Sequence, residues 1–200
     1  MEALLPRFRA AHTQVLGVSI DSVYSHANWG KSLGGVSFPL LSDFQPKGGM
    51  ANAYGLYLDG PGITDRATVI IDKDGYVRHA SSAGPGGKRN IAELAGLCEK
   101  VDGEFGQGLG AFPKPAGLPA GAQLFVKSAC GPSRAALLTR DNLHLEKALP
   151  AKNVSEDSAA RAELTKLAGK DQAPALVCSG EVLHEAADIT SFLVSKAGDL

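Results

Sequence analysis

The sequence lacks a surplus of either charge and lacks long apolar runs. Its 20 Lys and Arg residues face 21 Asp and Glu residues, for a net charge of −1. Without a basic surplus to neutralise phosphates, no nucleic acid is expected as a partner. No apolar run approaches the ~20 residues that span a bilayer, and the start of the chain lacks a signal peptide's apolar core. We therefore expect a cytoplasmic protein with no membrane partner.

Cysteine is also scarce. The chain has three cysteines, Cys98, Cys130 and Cys178, and this odd number excludes a disulfide framework and a four-cysteine metal site. The five histidines show no metal-binding spacing. We expect reduced thiols, no metal and no bound cofactor.

Glycine and proline are abundant, with 24 and 11 residues. They concentrate in the segment DGEFGQGLGAFPKPAGLPAG, residues 102–121, which has neither a helical nor a strand period. Such a composition is typical of a linker. The sequence therefore predicts two domains, residues 1–101 and 122–200, joined by this linker.

Both parts predict α/β domains. In the first, the hydrophobic periodicity gives the order α-β-α-β-α-β-β-α, a mixed sheet with helices on its faces. Its predicted strands are QVLGVSI, FPLLSD and the hairpin RATVIID–YVRHAS, and its last helix covers about residues 89–101. In the second, the order β-α-β-α-β-β-α is that of a minimal thioredoxin-type fold. Its predicted strands are QLFVKS, LHLEKAL, PALVC and EVLHE.

The segment Cys130-Gly131-Pro132-Ser133 lies where a predicted strand ends and a helix begins. Free N–H groups and the helix dipole stabilise a thiolate there, so the pKa of the thiol falls. With Ser133 in the fourth place, Cys130 forms a mixed disulfide with an external thiol rather than an internal one. The alternative is a small residue that merely ends a strand.

Around Cys130, residues 123–194 resemble the glutaredoxin and glutathione-transferase N-terminal family, through CGPS, QAPAL and ALVCSGEVLHEAADITSFL. The resemblance implies that Pro174 is a cis-proline that faces the cysteine and presents backbone to glutathione. It also places Glu185 where transferases hold the γ-glutamyl carboxylate, although Ala186 lacks the hydroxyl of the usual Glu-Ser pair. A trans-proline at a strand edge is the alternative for Pro174.

Three stretches of the first part, VLGVSIDSVYSHANW, FPLLSDFQPKGGMANAYGLY and ITDRATVIIDKDGYVRH, resemble the peroxiredoxin family of alkyl hydroperoxide reductases and thiol-specific antioxidant proteins. The resemblance implies that Arg66 hydrogen-bonds the peroxide and holds the attacking cysteine as thiolate, for which a guanidinium is well suited. The alternative is an ordinary arginine at a strand end.

The family's attacking cysteine lies in a Pro-x-x-x-Thr-x-x-Cys segment that precedes the VLGVSIDS motif. No cysteine of this sequence precedes Cys98, so the resemblance implies an N-terminally truncated peroxiredoxin domain without its first strands. Cys98, on the apolar face of a helix, and Cys178, inside a strand, are expected to be buried core residues. The truncated sheet leaves an apolar edge, which can recruit a second copy into a homodimer.

The sequence thus predicts a thiol-redox protein with two thioredoxin-like domains, the first truncated. Cys130 and Arg66 are the predicted catalytic residues, and Pro174, Glu185 and Ser133 the predicted substrate-binding residues. The expected substrates are a hydroperoxide or a protein sulfenate or disulfide, with glutathione as reductant. Two alternatives stay open, a non-catalytic interaction module and a glutathione-binding, transferase-like protein.

Overall fold

The computed structural model describes residues 1–198 and divides them into two compact units. The first unit comprises Met1–His26 and Phe38–Lys114, and the second comprises Ala27–Ser37 and the chain from Pro115 onward. The helices are α1 (Leu5–Ala10), α2 (Val23–Ser32), α3 (Gly49–Ala53), α4 (Ile91–Phe105), α5 (Gly131–Asn142), α6 (Ser158–Ala168) and α7 (Ala186–Ala197). The strands are β1 (Gly17–Ser19), β2 (Leu40–Ser42), β3 (Tyr57–Leu58), β4 (Ile63–Thr64), β5 (Ala67–Ile71), β6 (Val77–Ser82), β7 (Gln123–Val126), β8 (Ala151–Asn153), β9 (Ala175–Cys178) and β10 (Glu181–Leu183). The predicted α/β class is confirmed.

The strands of the first unit form three separate two-stranded sheets, where the sequence predicts one mixed sheet. Strands β1 and β2 are parallel, and the pairs β3–β4 and β5–β6 are antiparallel. The predicted strand over residues 14–20 is only three residues long in the structure, Gly17–Ser19. The β5–β6 hairpin turns at Gly75, whose φ of 87° suits the tight Asp-Gly turn.

The core of the first unit lies between α1, β5 and α4. Phe8, Ile70 and Cys98 are buried there, together with Ala11 at the end of α1 and Ala95 on α4. Arg7 on α1 forms a bidentate ion pair with the carboxylate of Glu99 on α4, with both N–O distances at 2.8 Å. This pair reinforces the packing of the two helices.

Helix α4 continues to Phe105, so the predicted linker is wrong at its first residues. His12 pairs with Asp102 at 2.8 Å, and Val101 packs against the core. The guanidinium of Arg78 lies 3.7 Å from the centre of the Phe105 ring. These contacts hold a last turn that two glycines would otherwise weaken.

The second unit has one four-stranded sheet in the order β8-β7-β9-β10. Strand β7 is parallel to β8 and antiparallel to β9, and β9 is antiparallel to β10. Leu124, Phe125 and Leu176 on its central strands are fully buried, with α7 contributing Ile189 and Leu193 to the core. The predicted element order of a thioredoxin-type unit is confirmed.

The second strand of this unit is not where the sequence predicts it. LHLEKAL, residues 143–149, is a series of turns, and the strand follows it at Ala151–Asn153. The alternating leucines suggest a strand, but this segment instead forms the C-terminal cap of helix α5. His144 has a left-handed φ of 56°, and the N–H of Leu145 donates to the carbonyl of Arg140, as in a common helix end. Leu145 and Leu149 are buried as anchors of these turns.

Residues 27–37, predicted to belong to the first domain, are grouped with the second unit. The side chain of Asn142 donates to the carbonyl of Ala27 at 3.0 Å and accepts from the N–H of Val36 at 3.3 Å. Lys31 forms an ion pair with Asp141 at 2.6 Å. Such contacts between residues more than a hundred positions apart leave no sequence pattern.

Candidate functional site

Cys130 is the residue that precedes helix α5, and it is half-buried. Its backbone is extended, with φ of −112° and ψ of 116°, and its carbonyl accepts the first helical hydrogen bond from the N–H of Arg134. This is an N-cap position, where the side chain faces N–H groups that have no partner in the helix. The prediction that Cys130 lies at a strand-to-helix junction is confirmed.

Ser133 supports the thiol of Cys130 from the first turn of α5. Its side chain is fully buried, and its hydroxyl accepts from the N–H of Lys127 at 3.0 Å. A hydroxyl that accepts one hydrogen bond still has its own proton to donate. Hydrogen bonds from this hydroxyl and from the N–H of Ser133 lower the pKa of Cys130, burial opposes them, and the charge of Lys127 adds to the lowering.

The directions of the strands place two further positions at the same edge of the sheet as Cys130. Strand β7 ends at this edge, and β9, which is antiparallel to it, begins there directly after Pro174. Pro174 is buried, and its bond to Ala173 is cis. Strand β10 also ends at this edge, followed by Glu185, which precedes α7 with an exposed side chain that caps no N–H. Pro174, Glu185 and Cys130 thus share one edge, as expected for parts of one site.

A polar group that the sequence did not single out supports the loop before Cys130. Asn153, at the end of β8, donates from Nδ2 to the hydroxyl of Ser128 at 2.7 Å. Ser155 accepts from the N–H of Ser128 at 3.2 Å, and Glu156 accepts from its hydroxyl. Asp157 caps helix α6, so Ser155 lies outside that helix. The strand pairing that joins these residues spans about 25 positions, beyond any local pattern.

Arg66 lies in the first unit, immediately before β5, and is exposed. Its Nε donates to the carbonyl of Pro85 at 3.1 Å, and its N–H donates to the side chain of Asp65. Burial lowers the pKa of Arg89, and the positive charge of Arg66 lowers it further. The two guanidinium groups therefore form a local positive centre, of which the sequence predicted only Arg66.

The other two cysteines are buried, as predicted. Cys98 belongs to the core between α1 and α4, and Cys178 to the core of the second unit. Burial raises the pKa of Cys98, a hydrogen bond with Thr13 opposes the effect, and the charge of Glu99 adds to it. Cys130 is thus the cysteine with both access to solvent and a lowered pKa.

The structure of residues 1–198 also bears on membrane and metal sites. No helix in this part is long and apolar enough to cross a membrane. No group of three or more His, Cys, Asp or Glu side chains in the same residues is arranged to hold a metal ion.

The family model of the AhpC/TSA family matches residues 1–80. Over 86 residues the chain is 36% identical to alkyl hydroperoxide reductase E of Mycobacterium tuberculosis, covering 43% of this chain and 56% of that protein. Over 92 residues it is 35% identical to the chloroplastic 2-Cys peroxiredoxin BAS1 of spinach, covering 43% of this chain and 34% of that protein. Among solved structures, Mycobacterium bovis AhpC is 30% identical with a TM-score of 0.47, covering 51% of this chain and 57% of that one.

The chain spans about half or less of the length of these curated relatives. The family match ends at residue 80, before Cys130. The first 80 residues are therefore related in sequence to the AhpC/TSA family of peroxiredoxins.

Proposed function

We propose that this protein is a thiol-redox protein of the peroxiredoxin family whose Cys130 exchanges disulfides with external thiols. The observation behind the proposal is the position of Cys130, half-buried at the N-terminus of α5, where the neighbouring Ser133 lowers the pKa of the thiol. A thiolate is the nucleophile in disulfide exchange, and a lowered pKa increases its amount at neutral pH.

The reaction runs in two exchanges. The thiolate of Cys130 attacks the glutathione sulfur of a protein–glutathione mixed disulfide, forms a Cys130–glutathione disulfide and releases the protein thiolate. A second glutathione thiolate then attacks the glutathione sulfur of that disulfide. Glutathione disulfide leaves and Cys130 returns to thiolate, so one disulfide bond is exchanged for another and no external oxidant is needed. Ser133 cannot replace the second glutathione, because a hydroxyl forms no disulfide.

The link to peroxide chemistry comes from the similarity of residues 1–80 to the AhpC/TSA family, although no cysteine of this sequence precedes Cys98, so this stretch does not itself supply the attacking cysteine. A peroxidatic cysteine that has reduced a hydroperoxide is a sulfenic acid, which condenses with glutathione to a mixed disulfide and water. That mixed disulfide is the substrate proposed for Cys130. Arg66 is proposed as the arginine that binds the peroxide, with the guanidinium of Arg89 adding to the positive charge beside it.

Glutathione recognition is proposed at the edge of the sheet that Cys130 shares with Pro174 and Glu185. Glu185 is exposed and has no capping bond that would occupy its carboxylate. A cytoplasmic location and a homodimer remain predictions from the sequence.

The first test is brief alkylation of the full chain with iodoacetamide between pH 5 and 9, followed by peptide mapping. We expect Cys130 to be labelled first, with a midpoint below the ordinary thiol pKa of about 8.5. Cys98 and Cys178 serve as internal controls in the same sample, and Cys130→Ser should remove the fast phase. Faster labelling of Cys98 or Cys178, or an ordinary midpoint for Cys130, would contradict the proposal.

The second arm of the test measures turnover. A glutathionylated peptide should be reduced by the unaltered chain with excess glutathione and not by Cys130→Ser. Glutathione binding without turnover would instead favour a transferase-like protein, and neither binding nor turnover would favour an interaction module.

A further inference from the structure

The loop that leads to Cys130 is held on the end of β8 by the side-chain amide of Asn153. Its Nδ2 donates to the hydroxyl of Ser128 at 2.7 Å, and its Oδ1 accepts from the N–H of Ser155 at 2.9 Å. One amide therefore joins the segment before α5 to the segment before α6. Asn153 is half-buried, and its two partners, Ser128 and Ser155, are exposed.

Ser128 is fixed through both its side chain and its main chain. Its hydroxyl donates to the carboxylate of Glu156, and its N–H donates to the hydroxyl of Ser155 at 3.2 Å. A hydroxyl has a single proton, so the bond accepted from Asn153 directs that proton towards Glu156. The residue two positions before Cys130 thus has its orientation set from three sides.

Between Ser128 and Cys130, the backbone of Ala129 is in the left-handed region, with a φ of 52°. This region is unfavourable for a residue with a Cβ, and such a conformation persists only where its surroundings fix it. Ser128 is held on one side, and the hydrogen bonds of Ser133 and Arg134 hold the start of α5 on the other. The direction in which Cys130 enters the helix therefore depends on the bonds to Ser128.

We propose that Asn153 is a positioning residue for Cys130: through Ser128 it fixes the loop that places the thiol at the start of α5. Asn153 does not touch the sulfur, so its effect is on the alignment of the bonds that stabilise the thiolate. The inference rests on the proposed function, since it concerns the reactivity of Cys130.

The test compares the pH dependence of Cys130 alkylation by iodoacetamide in the unaltered full chain, in Asn153→Ala and in Ser128→Ala. We expect both substitutions to raise the midpoint by about half a pH unit, which slows alkylation about threefold at pH values below it. The double variant should shift the midpoint no further than the larger single shift, because both changes remove the same bond.

Asn142→Ala is the matched control. Asn142 also holds two backbone groups of the second unit with its amide, Ala27 and Val36, but it lies at the far end of α5 from Cys130. Its loss should lower the stability of the unit without moving the midpoint of Cys130. A structural role of Asn153 alone would affect thermal unfolding and leave the midpoint unchanged.

The outcomes separate this inference from the proposed function. A low midpoint in the unaltered chain that neither Asn153→Ala nor Ser128→Ala moves would overturn the positioning role and leave the proposed function in place. An ordinary midpoint in the unaltered chain would overturn both. Should Asn153→Ala fold poorly, Ser128→Ala tests the same bond from an exposed position.

Discussion

The two units of this chain differ most in how their strands are paired. In the first unit each of six strands has a single partner, so each leaves one edge unpaired among the described residues. In the second unit the central strands β7 and β9 are paired on both sides. A strand with two partners has all of its backbone groups in hydrogen bonds and can bury both of its faces under helices.

Side-chain burial is also greater in the unit whose central strands have two partners. Among residues 1–198, every fully buried Leu, Ile and Phe side chain lies in the second unit, whereas only Ala51 reaches zero exposure in the first. The first unit instead exposes large apolar side chains on its strands, with Leu41 at 46% and Val77 at 52%. The denser core therefore lies in the unit whose strands are paired continuously. The predictions below test this difference.

The largest effect is expected from Leu176→Ala on β9. Leu176 is fully buried, and its truncation leaves a cavity, so the free energy of unfolding should fall by about 3 kcal/mol. The matched control is Leu41→Ala in the middle of β2, which should cost less than about 1 kcal/mol because that side chain is exposed. Urea unfolding followed by circular dichroism measures both. Equal losses for the two leucines would remove the proposed contrast between the cores.

A smaller difference is expected in amide hydrogen exchange of the full chain. Amides of β7 and β9 should exchange at least about tenfold more slowly than those of β1 and β5, a difference of about 1.4 kcal/mol in opening free energy. The physical reason is that β7 and β9 have partners on both sides. Mass spectrometry of peptic fragments resolves the four strands. Equal protection in a monomer would show that the unpaired edges do not weaken the first unit.

The smallest effect concerns Asp141 of the second unit. Burial opposes its ionisation, but hydrogen bonds from Lys31 and Arg140 lower its pKa overall. A carboxyl with a lowered folded-state pKa stabilises the fold above its unfolded pKa of about 4, and the contribution disappears as the pH falls below that value. Asp141→Asn should therefore be less stable by about 1 kcal/mol at pH 6, and the difference should shrink towards pH 2.

Urea midpoints between pH 2 and pH 6 measure this change, with Asp171→Asn at an exposed position as control. A stability difference for Asp141→Asn that stays constant across this pH range would contradict the ion-pair explanation.

The sequence predicted most elements of the second unit because their signals are local. Asp157 caps α6, Gly169 ends it with a φ of 72°, and the Ser179–Gly180 turn joins β9 to β10, as their residue types suggest. It failed at LHLEKAL, where alternating leucines have the strand period but serve a helix end. The short β3–β4 hairpin of the first unit was missed, because strands of two residues have no measurable period.

The residues of the candidate site also differ in whether the sequence alone could predict them. Cys130 and Ser133 were found because a strand, a cysteine and a helix start follow one another along the chain. Asn153 was missed because it donates to a residue 25 positions away, and Arg89 was missed because the charge of Arg66 affects it only in the folded chain. Local chemistry was therefore predictable, and the residues that orient it were not.

The buried hydroxyl of Ser133 also sets the kinetic order of the proposed chemistry. An internal second thiol would resolve a mixed disulfide at a rate independent of the surroundings, since its effective concentration is fixed by the fold. With oxygen in that place, the lifetime of the oxidised Cys130 is inversely proportional to the concentration of free thiol around the protein. A sulfur atom at this buried position would let the protein resolve its own mixed disulfide, whereas the oxygen of Ser133 makes the rate depend on the concentration of external thiol.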